Sequence, residues 1–327
     1  MKKGKTRRVA AAPAQIKIAK NGLSHGRAAA AAVLAAKGKG ALGGNGQSGL
    51  LIAEGDSWFD FPGDDVLSLL EKRFHYRIES VAHKGDTIEG IAYDQAQVRA
   101  LARAFQNVRE DGRVPRAILL SGGGNDIAGD EFAVLLNHAE STLAPLNARV
   151  VEGILDERLR FAIGSVIGAI TTLSQRVFGR KIPVLVHGYG NPVPDGRGFM
   201  GGFWILPGPW LKPGFDNKGY NDRQQCCRIL EDLIDHFNGL LKSIAGAPGF
   251  EHVTYVDLRP LLSNELPKVY KSSWTDELHP TDDGFERVAG RLDQEIRRVA
   301  PQVPRGPQAA KGPAAHTGQS RKARTRR

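Results

Sequence analysis

The feature that most constrains the fold of this chain is the alternation of short apolar segments with helical segments between residues 50 and 300. Five strands, each bounded by glycine, proline or a polar turn, are predicted at 50–54, 76–81, 117–121, 183–187 and 253–257. Helices are predicted at about 65–74, 88–106, 150–178, 221–244 and 282–299. This alternation is typical of βαβ units, whose parallel strands form a sheet covered by helices on both faces. The sequence therefore predicts one α/β domain over residues 50–300.

Apolar residues recur at three- and four-residue spacing along the predicted helix at 150–178. This pattern favours packing against a core over a membrane or partner site. The longest nearly apolar stretch, residues 161–173, is also shorter than the roughly 18–20 residues that cross a bilayer. We therefore expect no transmembrane segment.

Charge is distributed unevenly along the chain. Residues 1–49 contain ten Lys and Arg and no acid, and residues 301–327 contain seven Lys and Arg and no acid. Removing these 17 from the 45 basic residues leaves 28 against all 35 acids, a net charge of about −7 for residues 50–300, whereas the whole chain carries +10. Both ends are polar, glycine-rich and alanine-rich without sustained periodicity, so we expect disordered basic tails flanking the domain.

The cysteines and histidines give no sign of a disulfide or a metal. Cys226 and Cys227 are adjacent, and neighbouring α-carbons are too close together for a relaxed disulfide. The sequence contains neither Cys-x-x-Cys nor His-Glu-x-x-His, so no zinc site or other cofactor is predicted. An alanine-rich run at 28–36 lacks the hydrophobicity of an export signal. These features favour a reducing compartment, and we expect the protein to be cytoplasmic.

Glycine and polar residues follow three predicted strands, where ligands of open α/β sheets bind. Ser57 comes directly after the first strand, in Gly55-Asp56-Ser57, a combination that is also common in ordinary turns. Gly85 follows the second strand, where a glycine lets a backbone N–H approach a ligand closely. Asn125 follows the third, and its amide can donate to an oxygen that gains negative charge. We interpret Asp56 as a hydrogen-bond anchor of the turn instead of a catalytic acid.

A serine hydroxyl becomes a good nucleophile only when a base removes its proton, so Ser57 needs a histidine within hydrogen-bond reach. His279 lies three residues after Asp276, just before the last predicted helix, and the carboxylate can orient its imidazole from there. His83 and His187 are rival bases, but each is better explained as a packed or hydrogen-bonded histidine. The sequence therefore favours His279.

Four short blocks, taken in order, resemble those of the SGNH (GDSL-type) hydrolases. They are Gly55-Asp56-Ser57, Gly85, Gly123-x-Asn125-Asp126 and Asp276-x-x-His279-Pro280, within residues 50–300. The resemblance implies a three-layer α/β/α sandwich with a flavodoxin-like parallel sheet. It also implies a serine-dependent hydrolase of carboxylic esters, of the esterase, lipase or acetylesterase type.

The same resemblance implies a role for each residue. Ser57 would be the nucleophile, His279 the general base and Asp276 its orienting partner. The N–H groups of Ser57 and Gly85 and the side-chain amide of Asn125 would form the oxyanion hole. The substrate would be a small-molecule ester of lipid or carbohydrate type, and no metal or other cofactor is implied.

Two features depart from the family pattern. Trp58 stands where the family often has leucine, which reshapes the wall beside the nucleophile. Residues 188–219 are rich in glycine, proline and aromatic side chains, and a loop this long inside a compact domain is usually functional. We expect Trp58, Phe203, Trp204 and Trp210 to contact substrate, with the 188–219 loop forming a lid or a wall of the acyl pocket instead of core.

Two other functions are compatible with the sequence. A metal-dependent phosphoesterase is suggested by Gly55-Asp56 and Gly124-Asn125-Asp126, although the converging histidines that such a site needs are missing. A non-catalytic protein that binds nucleic acid or another polyanion is suggested by the basic tails. The acidic body has no helix-turn-helix or zinc-finger spacing, so this role can belong only to the tails. The oligomeric state does not follow from the sequence.

We predict that the tails and the domain act separately. The two tails together carry seventeen positive side chains and no negative ones. They will bind a polyanion by releasing its counterions, and this binding weakens steeply as salt rises. A fragment of residues 50–300 should therefore lose retention on DNA at low salt and keep any ester hydrolysis. Equal retention of the fragment and the full chain over a salt series, or no retention of the full chain, would mean that the charges only keep the chain soluble.

Overall fold

The described part of the chain is built on one parallel sheet. The computed structural model describes residues 48–199 and 206–301. The strands are β1 (Leu50–Glu54), β2 (Arg77–Ser80), β3 (Ala117–Leu120), β4 (Val184–His187) and β5 (Val253–Val256). They lie in the order β2-β1-β3-β4-β5, and every neighbouring pair is parallel. This order is flavodoxin-like, so the predicted fold class is confirmed.

Helices flank the sheet. They are α1 (Val66–Phe74), α2 (Ile88–Tyr93), α3 (Gln95–Glu110), α4 (Ala148–Val151), α5 (Arg160–Phe178), α6 (Lys212–Asn217), α7 (Arg223–Ala245) and α8 (Asp282–Val299). Short 3₁₀ helices cover Gly129–Leu135, Arg259–Leu261 and Val269–Ser272. Helix α1 packs against α8, whereas α2 and α3 pack against α5, which also contacts α7. Strands β1, β3 and β4 are buried throughout, as strands covered on both faces must be.

The prediction of one helix over 88–106 is wrong in one respect, because two helices occupy this part of the chain. Asp94 interrupts them with an extended backbone, at φ −70° and ψ 121°. Its carboxylate accepts hydrogen bonds from the N–H groups of Ala96 (2.6 Å) and Gln97 (3.3 Å). An Asp side chain that caps a helix in this way competes with continuation of the preceding helix. Helix α3 therefore begins anew after Asp94.

The predicted helix at 150–178 is helical and lies against the core. Its inner face buries Ala162, Ile163, Val166, Ile167, Ile170 and Ser174. A π-helical segment, Glu152–Leu159, joins α4 to α5. Within the described ranges, the whole stretch Ala148–Phe178 is long and apolar enough to cross a membrane by length and composition. The core helix of a water-soluble protein meets the same criterion, so this is weak support for a membrane span.

The 188–219 loop contains more regular structure than the sequence indicates. It includes helix α6, and the aromatic ring of Phe215 is 1% exposed and packs against Phe132 at 4.9 Å between ring centroids. The expectation that the aromatic residues of this loop are not core is therefore wrong for Phe215. Phe203 and Trp204, which we expect to contact substrate, lie outside the described residues, as do both predicted tails apart from their innermost residues.

Glycines at the carboxyl ends of β1 and β3 let two loops approach each other. A Cβ at Gly55 would lie 2.7 Å from the backbone oxygen of Ser121. Gly123 has a φ of +103°, and a Cβ there would lie 2.5 Å from the ring of Phe237 in α7. Because a side chain at either position would push the loops apart, these glycines are required by the packing at this edge of the sheet.

We predict that Gly123→Ala destabilises the fold more than an alanine placed at another left-handed glycine. Gly112 has a φ of +67° and open space around its Cβ position, so Gly112→Ala should cost about 1–2 kcal/mol for the backbone conformation alone. Gly123→Ala adds a clash with Phe237 and should lower the free energy of unfolding by roughly 2–5 kcal/mol. Urea unfolding of both variants measures the difference, and equal losses would contradict the packing argument.

Candidate active site

Asp56 holds the turn that carries Ser57 at the end of β1. One carboxylate oxygen of Asp56 accepts hydrogen bonds from the Trp58 N–H (3.0 Å) and the Ser121 hydroxyl (2.7 Å), and the other accepts from the Tyr189 hydroxyl. Burial and the nearby Asp56 carboxylate raise the pKa of Tyr189, which keeps the phenol protonated as a donor. Asp56 is thus an anchor of the turn, as the sequence indicates, and Ser57 is partly exposed beside it.

Asp276 organises the loop that carries His279. One of its carboxylate oxygens accepts hydrogen bonds from the backbone N–H groups of Leu278 and His279, both at 2.8 Å. The same carboxylate lies 2.9 and 3.0 Å from Nδ1 of the His279 ring. The three-residue spacing lets one buried carboxylate fix both the turn and the ring.

Ser57, His279 and Asp276 form a continuous hydrogen-bonded chain. Nε2 of His279 lies 2.9 Å from Oγ of Ser57, across 222 positions of sequence. Because a carboxylate only accepts hydrogen bonds, Nδ1 of His279 carries the proton when the ring is neutral, and Nε2 then accepts from the serine hydroxyl. The structure therefore brings together the three residues that the sequence selects.

Two aromatic rings flank the imidazole of His279. The centroid of the Phe61 ring lies 4.5 Å from that of His279, and the Trp210 ring lies at 5.5 Å with an interplanar angle of 77°. Trp210 thus lies beside His279, and its contact with substrate stays a prediction. Phe61 was not selected from the sequence, where it is one more aromatic residue in the turn after Ser57. Its contact with His279 arises only in the folded chain.

Trp58 connects the serine loop to the histidine loop. Its indole N–H donates a hydrogen bond to the backbone oxygen of Leu278 (3.1 Å). The ring is only 3% exposed and packs against His187 at 5.5 Å and against Trp274 at 6.3 Å between centroids. Trp58 therefore holds the two loops together in addition to forming part of a cleft wall.

The loops after β2 and β3 are held against the serine turn. The His83 N–H donates to the Gly55 oxygen (2.9 Å), and the side-chain amide of Asn125 donates to the Asp86 oxygen (2.9 Å). Gly85 lies between these two attachments and has a φ of +84°. The N–H groups of Ser57 and Gly85 donate no hydrogen bond to any residue of the described ranges.

Asp126 completes this arrangement at the start of helix α2. Its carboxylate accepts hydrogen bonds from the N–H groups of Ile88 (2.8 Å) and Glu89 (3.3 Å). Burial raises the pKa of Asp126 to about 6, although both backbone donors act in the opposite direction. The loop after β3 is in this way tied to the helix that follows Gly85.

The rival histidines occupy other environments. His187 is fully buried, and its Nδ1 lies 2.7 Å from the Gly188 oxygen, while burial lowers its pKa. The side chain of His83 is 67% exposed, with Nδ1 at 3.6 Å from Asp86. Neither bonds to Ser57 within the described structure, so both are the packed or loop histidines that the sequence favours.

Glu277, next to Asp276, attaches the 188–219 loop to the site. Its buried carboxylate accepts hydrogen bonds from the N–H groups of Gly196 (2.8 Å), Trp210 (2.7 Å) and Leu211 (2.7 Å), and from that of Lys212 at 3.2 Å. Burial raises the pKa of Glu277, and these four donors oppose that shift. The residues around Glu277 in the sequence do not indicate this role, because its hydrogen-bond partners lie more than sixty positions away.

Arg197 makes a second attachment between the same two regions. Its guanidinium donates to the backbone oxygens of Trp274 (3.1 Å) and Thr275 (2.8 Å), just before Asp276. Asp195 pairs with this guanidinium at 2.5 Å and also accepts from the Tyr270 hydroxyl at 2.8 Å. The described parts of the loop are therefore fixed to the segment that carries Asp276 and His279.

A cleft opens beside Ser57. The empty space here measures about 550 Å³ when the open solvent at its mouth is counted. Its lining residues are Asp56, Ser57, Trp58, Gly124, Asn125, Ile127, Ala128, Tyr189, Gly190, Pro192, Leu211, Leu230, Leu233, Ile234, Trp274 and Leu278. Most of these are apolar. No three His, Cys, Asp or Glu side chains in residues 48–199 and 206–301 are grouped so as to hold a metal ion.

Glu54 is a buried acid beside the serine turn. One of its carboxylate oxygens accepts from the Gly55 N–H (3.0 Å), and the other has no hydrogen-bond partner in the described structure. Burial, with a smaller contribution from Asp86, raises the pKa of Glu54 to about 8. The folded protein therefore holds Glu54 protonated at neutral pH, whereas the unfolded chain ionises it near the ordinary pKa of 4.5.

We predict that Glu54 makes the fold less stable as pH rises. Between the two pKa values the folded state binds a proton that the unfolded state has lost, so the contribution present below pH 4.5 is lost as pH rises to about 8. Glu54→Gln should remove this loss and gain several kcal/mol over wild type at pH 9, measured by urea unfolding. Glu79→Gln on the edge strand β2 is the matched control. If the wild type and Glu54→Gln lost stability by the same amount between pH 5 and pH 9, the prediction would be contradicted.

Three solved structures are similar to this chain. Est24, a carbohydrate acetylesterase from Sinorhizobium meliloti, has a TM-score of 0.43 at 13% identity over 76% of this chain and 99% of its own. TesA has a TM-score of 0.39 at 15% identity over 76% and 99%. A catalytic mutant of Axe2, an acetylxylan esterase from Geobacillus stearothermophilus, has a TM-score of 0.38 at 15% identity over 76% and 93%. No family model matches the chain, and no curated protein matches it.

The fold and the positions of the blocks agree with the resemblance to SGNH hydrolases. The described residues form a five-stranded parallel sheet of flavodoxin-like order between helices, which is the architecture that this resemblance implies. The Ser57 block follows β1, the Gly85 block follows β2 and the Asn125 block follows β3. The His279 block precedes α8, and the hydrogen bonds described above connect the blocks.

Proposed function

We propose that this protein is a serine-dependent hydrolase of carboxylic esters. The observation that carries the proposal is the hydrogen-bonded chain from Ser57 through His279 to the buried Asp276. A hydroxyl that donates to a neutral imidazole, with a carboxylate behind that imidazole, is the arrangement that activates a serine. The order of the four sequence blocks supports the same proposal independently of these distances.

In the first half of the reaction, Oγ of Ser57 attacks the carbonyl carbon of the ester. Its proton passes to Nε2 of His279, and the imidazolium that forms is stabilised by the Asp276 carboxylate at Nδ1. When the tetrahedral intermediate collapses, the bond to the alcohol breaks and His279 returns its proton to the departing oxygen. The product of this half is an acyl group on Ser57.

The second half repeats these steps with water. His279 takes a proton from a water molecule, which attacks the acyl carbon, and the proton returns to Oγ of Ser57 as the carboxylic acid leaves. In both halves a negative oxygen needs donors. We assign these to the N–H groups of Ser57 and Gly85 and to the Asn125 amide, and the lack of other acceptors for the two N–H groups in the described ranges supports this assignment.

We predict that Ser57→Ala and His279→Ala abolish hydrolysis of 4-nitrophenyl acetate without unfolding the protein. Asn125→Ala should lower kcat by about 10²–10³-fold, the usual effect of losing one oxyanion donor. His83→Ala is the matched control, because its exposed ring does not contact Ser57. Initial rates, together with the thermal unfolding midpoint of each variant, check the prediction.

Wild-type rates in Ser57→Ala would overturn the proposal. Loss of activity on treatment with a metal chelator, with Ser57→Ala still active, would favour the metal-dependent phosphoesterase instead. If His83→Ala and His279→Ala lost the same amount of activity, the assignment of His279 as the general base would be wrong, even if Ser57 proved essential.

A further inference from the structure

The cleft beside Ser57 has a chemistry that selects among esters. Its walls come from the segment after β3 (Ile127 and Ala128), from the 188–219 loop (Leu211) and from α7, whose Leu230 and Leu233 are buried. These are aliphatic side chains, and none of them offers a partner to a sugar hydroxyl. An aliphatic lining gains free energy by removing apolar surface from water, and it discriminates against groups that keep water bound.

The carboxylate and phenol that also line the cleft are already paired. The Tyr189 hydroxyl donates to Asp56, which holds two further donors, Ser121 and the Trp58 N–H. A carbohydrate placed in the cleft would have to break these bonds or leave its own hydroxyls without partners, and buried unpaired hydroxyls are costly. Asp56 and Tyr189 therefore maintain the turn and are not available to a polar ligand, and the other polar side chains that line the cleft, Ser57 and Asn125, are assigned to the ester carbonyl.

The residues that line the cleft bear on which part of an ester would enter it. Ser57 and Asn125 both line it, and in the proposed reaction these two groups contact the acyl carbon and its oxygen. His279, which returns a proton to the departing alcohol, is not among its lining residues in the described structure. In the proposed reaction the alcohol would therefore leave on the side where Phe61 and Trp210 flank His279, and the acyl substituent would extend into the cleft.

We propose that this cleft binds an unbranched apolar acyl chain, so that the protein acts on esters of medium-chain fatty acids in preference to acetates of sugars. The inference rests on the proposed function, because it assigns a substrate class to that same site. Each methylene that enters an apolar cleft should raise kcat/KM about fourfold, until the chain reaches the end of the cleft.

The test uses two series of esters with the full-length protein. In the first, 4-nitrophenol is kept and the acyl group is acetyl, butanoyl, hexanoyl or octanoyl. In the second, the acyl group is acetyl and the alcohol is lengthened in the same steps. We expect kcat/KM to rise along the first series, by more than tenfold from acetyl to hexanoyl, and to change by less than threefold along the second.

Variants connect this preference to the cleft. Ala128→Phe fills the cleft and should lower the ratio of kcat/KM for hexanoate to that for acetate at least tenfold. Val134→Phe adds the same ring to an exposed position of the adjoining 3₁₀ helix and should leave the ratio as in wild type. If Ala128→Phe does not fold, Leu230→Ala supplies the test, since a wider cleft should move the optimum of kcat/KM to longer acyl chains. Ile229→Ala is its control: it removes a buried side chain from the same helix outside the cleft and should leave that optimum where it is in wild type.

The outcomes separate this inference from the proposed function. No Ser57-dependent hydrolysis of any ester would overturn the function itself. Ser57-dependent hydrolysis that is flat or falls with acyl length, or that rises with the length of the alcohol instead, would overturn the acyl-chain assignment alone. An unchanged ratio in both Ala128→Phe and Leu230→Ala would show that a rise along the acyl series comes from another surface.

Discussion

Two adjacent buried carboxylates, those of Asp276 and Glu277, determine how the site is assembled. Asp276 binds the turn and the ring of His279, whereas Glu277 binds four backbone N–H groups of the 188–219 loop. A buried carboxylate without such donors would carry a large desolvation cost, so each acid fixes the segments around it. The loop and the base are thereby attached to two adjacent residues of one segment.

This coupling changes the interpretation of the loop. A lid requires a segment with few attachments, but the described parts of 188–219 are held by Glu277, by Arg197 and by the burial of Phe215. They contribute Leu211 to the cleft wall and Trp210 to the surroundings of His279. The described parts of the loop therefore act as fixed walls of the site.

The sequence predicts the sheet and the three residues Ser57, Asp276 and His279 because these depend on local patterns. Apolar runs ended by glycine define strands, and parallel strands bring their carboxyl ends to one edge. The Asp-x-x-His spacing is local as well, since one carboxylate reaches both the turn and the ring. The break at Asp94 also has a local cause, a capping side chain inside an apparently continuous helical pattern.

The features missed by sequence reasoning depend on distant partners. The Trp58 indole donates to Leu278, 220 positions away, so its role in joining two loops has no signal in the neighbouring residues. The ring contact of Phe61 with His279 also has no local signal. Nor do the hydrogen bonds that Glu277 accepts from the backbone N–H groups of residues 196 and 210–212. The pKa of Glu54, beside the serine turn, is raised chiefly because the fold removes its carboxyl group from water.

Activation of Ser57 by His279 can be measured by labelling the protein with a fluorophosphonate. The reagent reacts with a serine whose hydroxyl is deprotonated by a neighbouring base. We expect one adduct per chain, mapped by mass spectrometry to the peptide that contains Ser57. This adduct should be absent in His279→Ala and retained in His83→Ala. An adduct on another residue, or no adduct on a protein that hydrolyses esters, would contradict it.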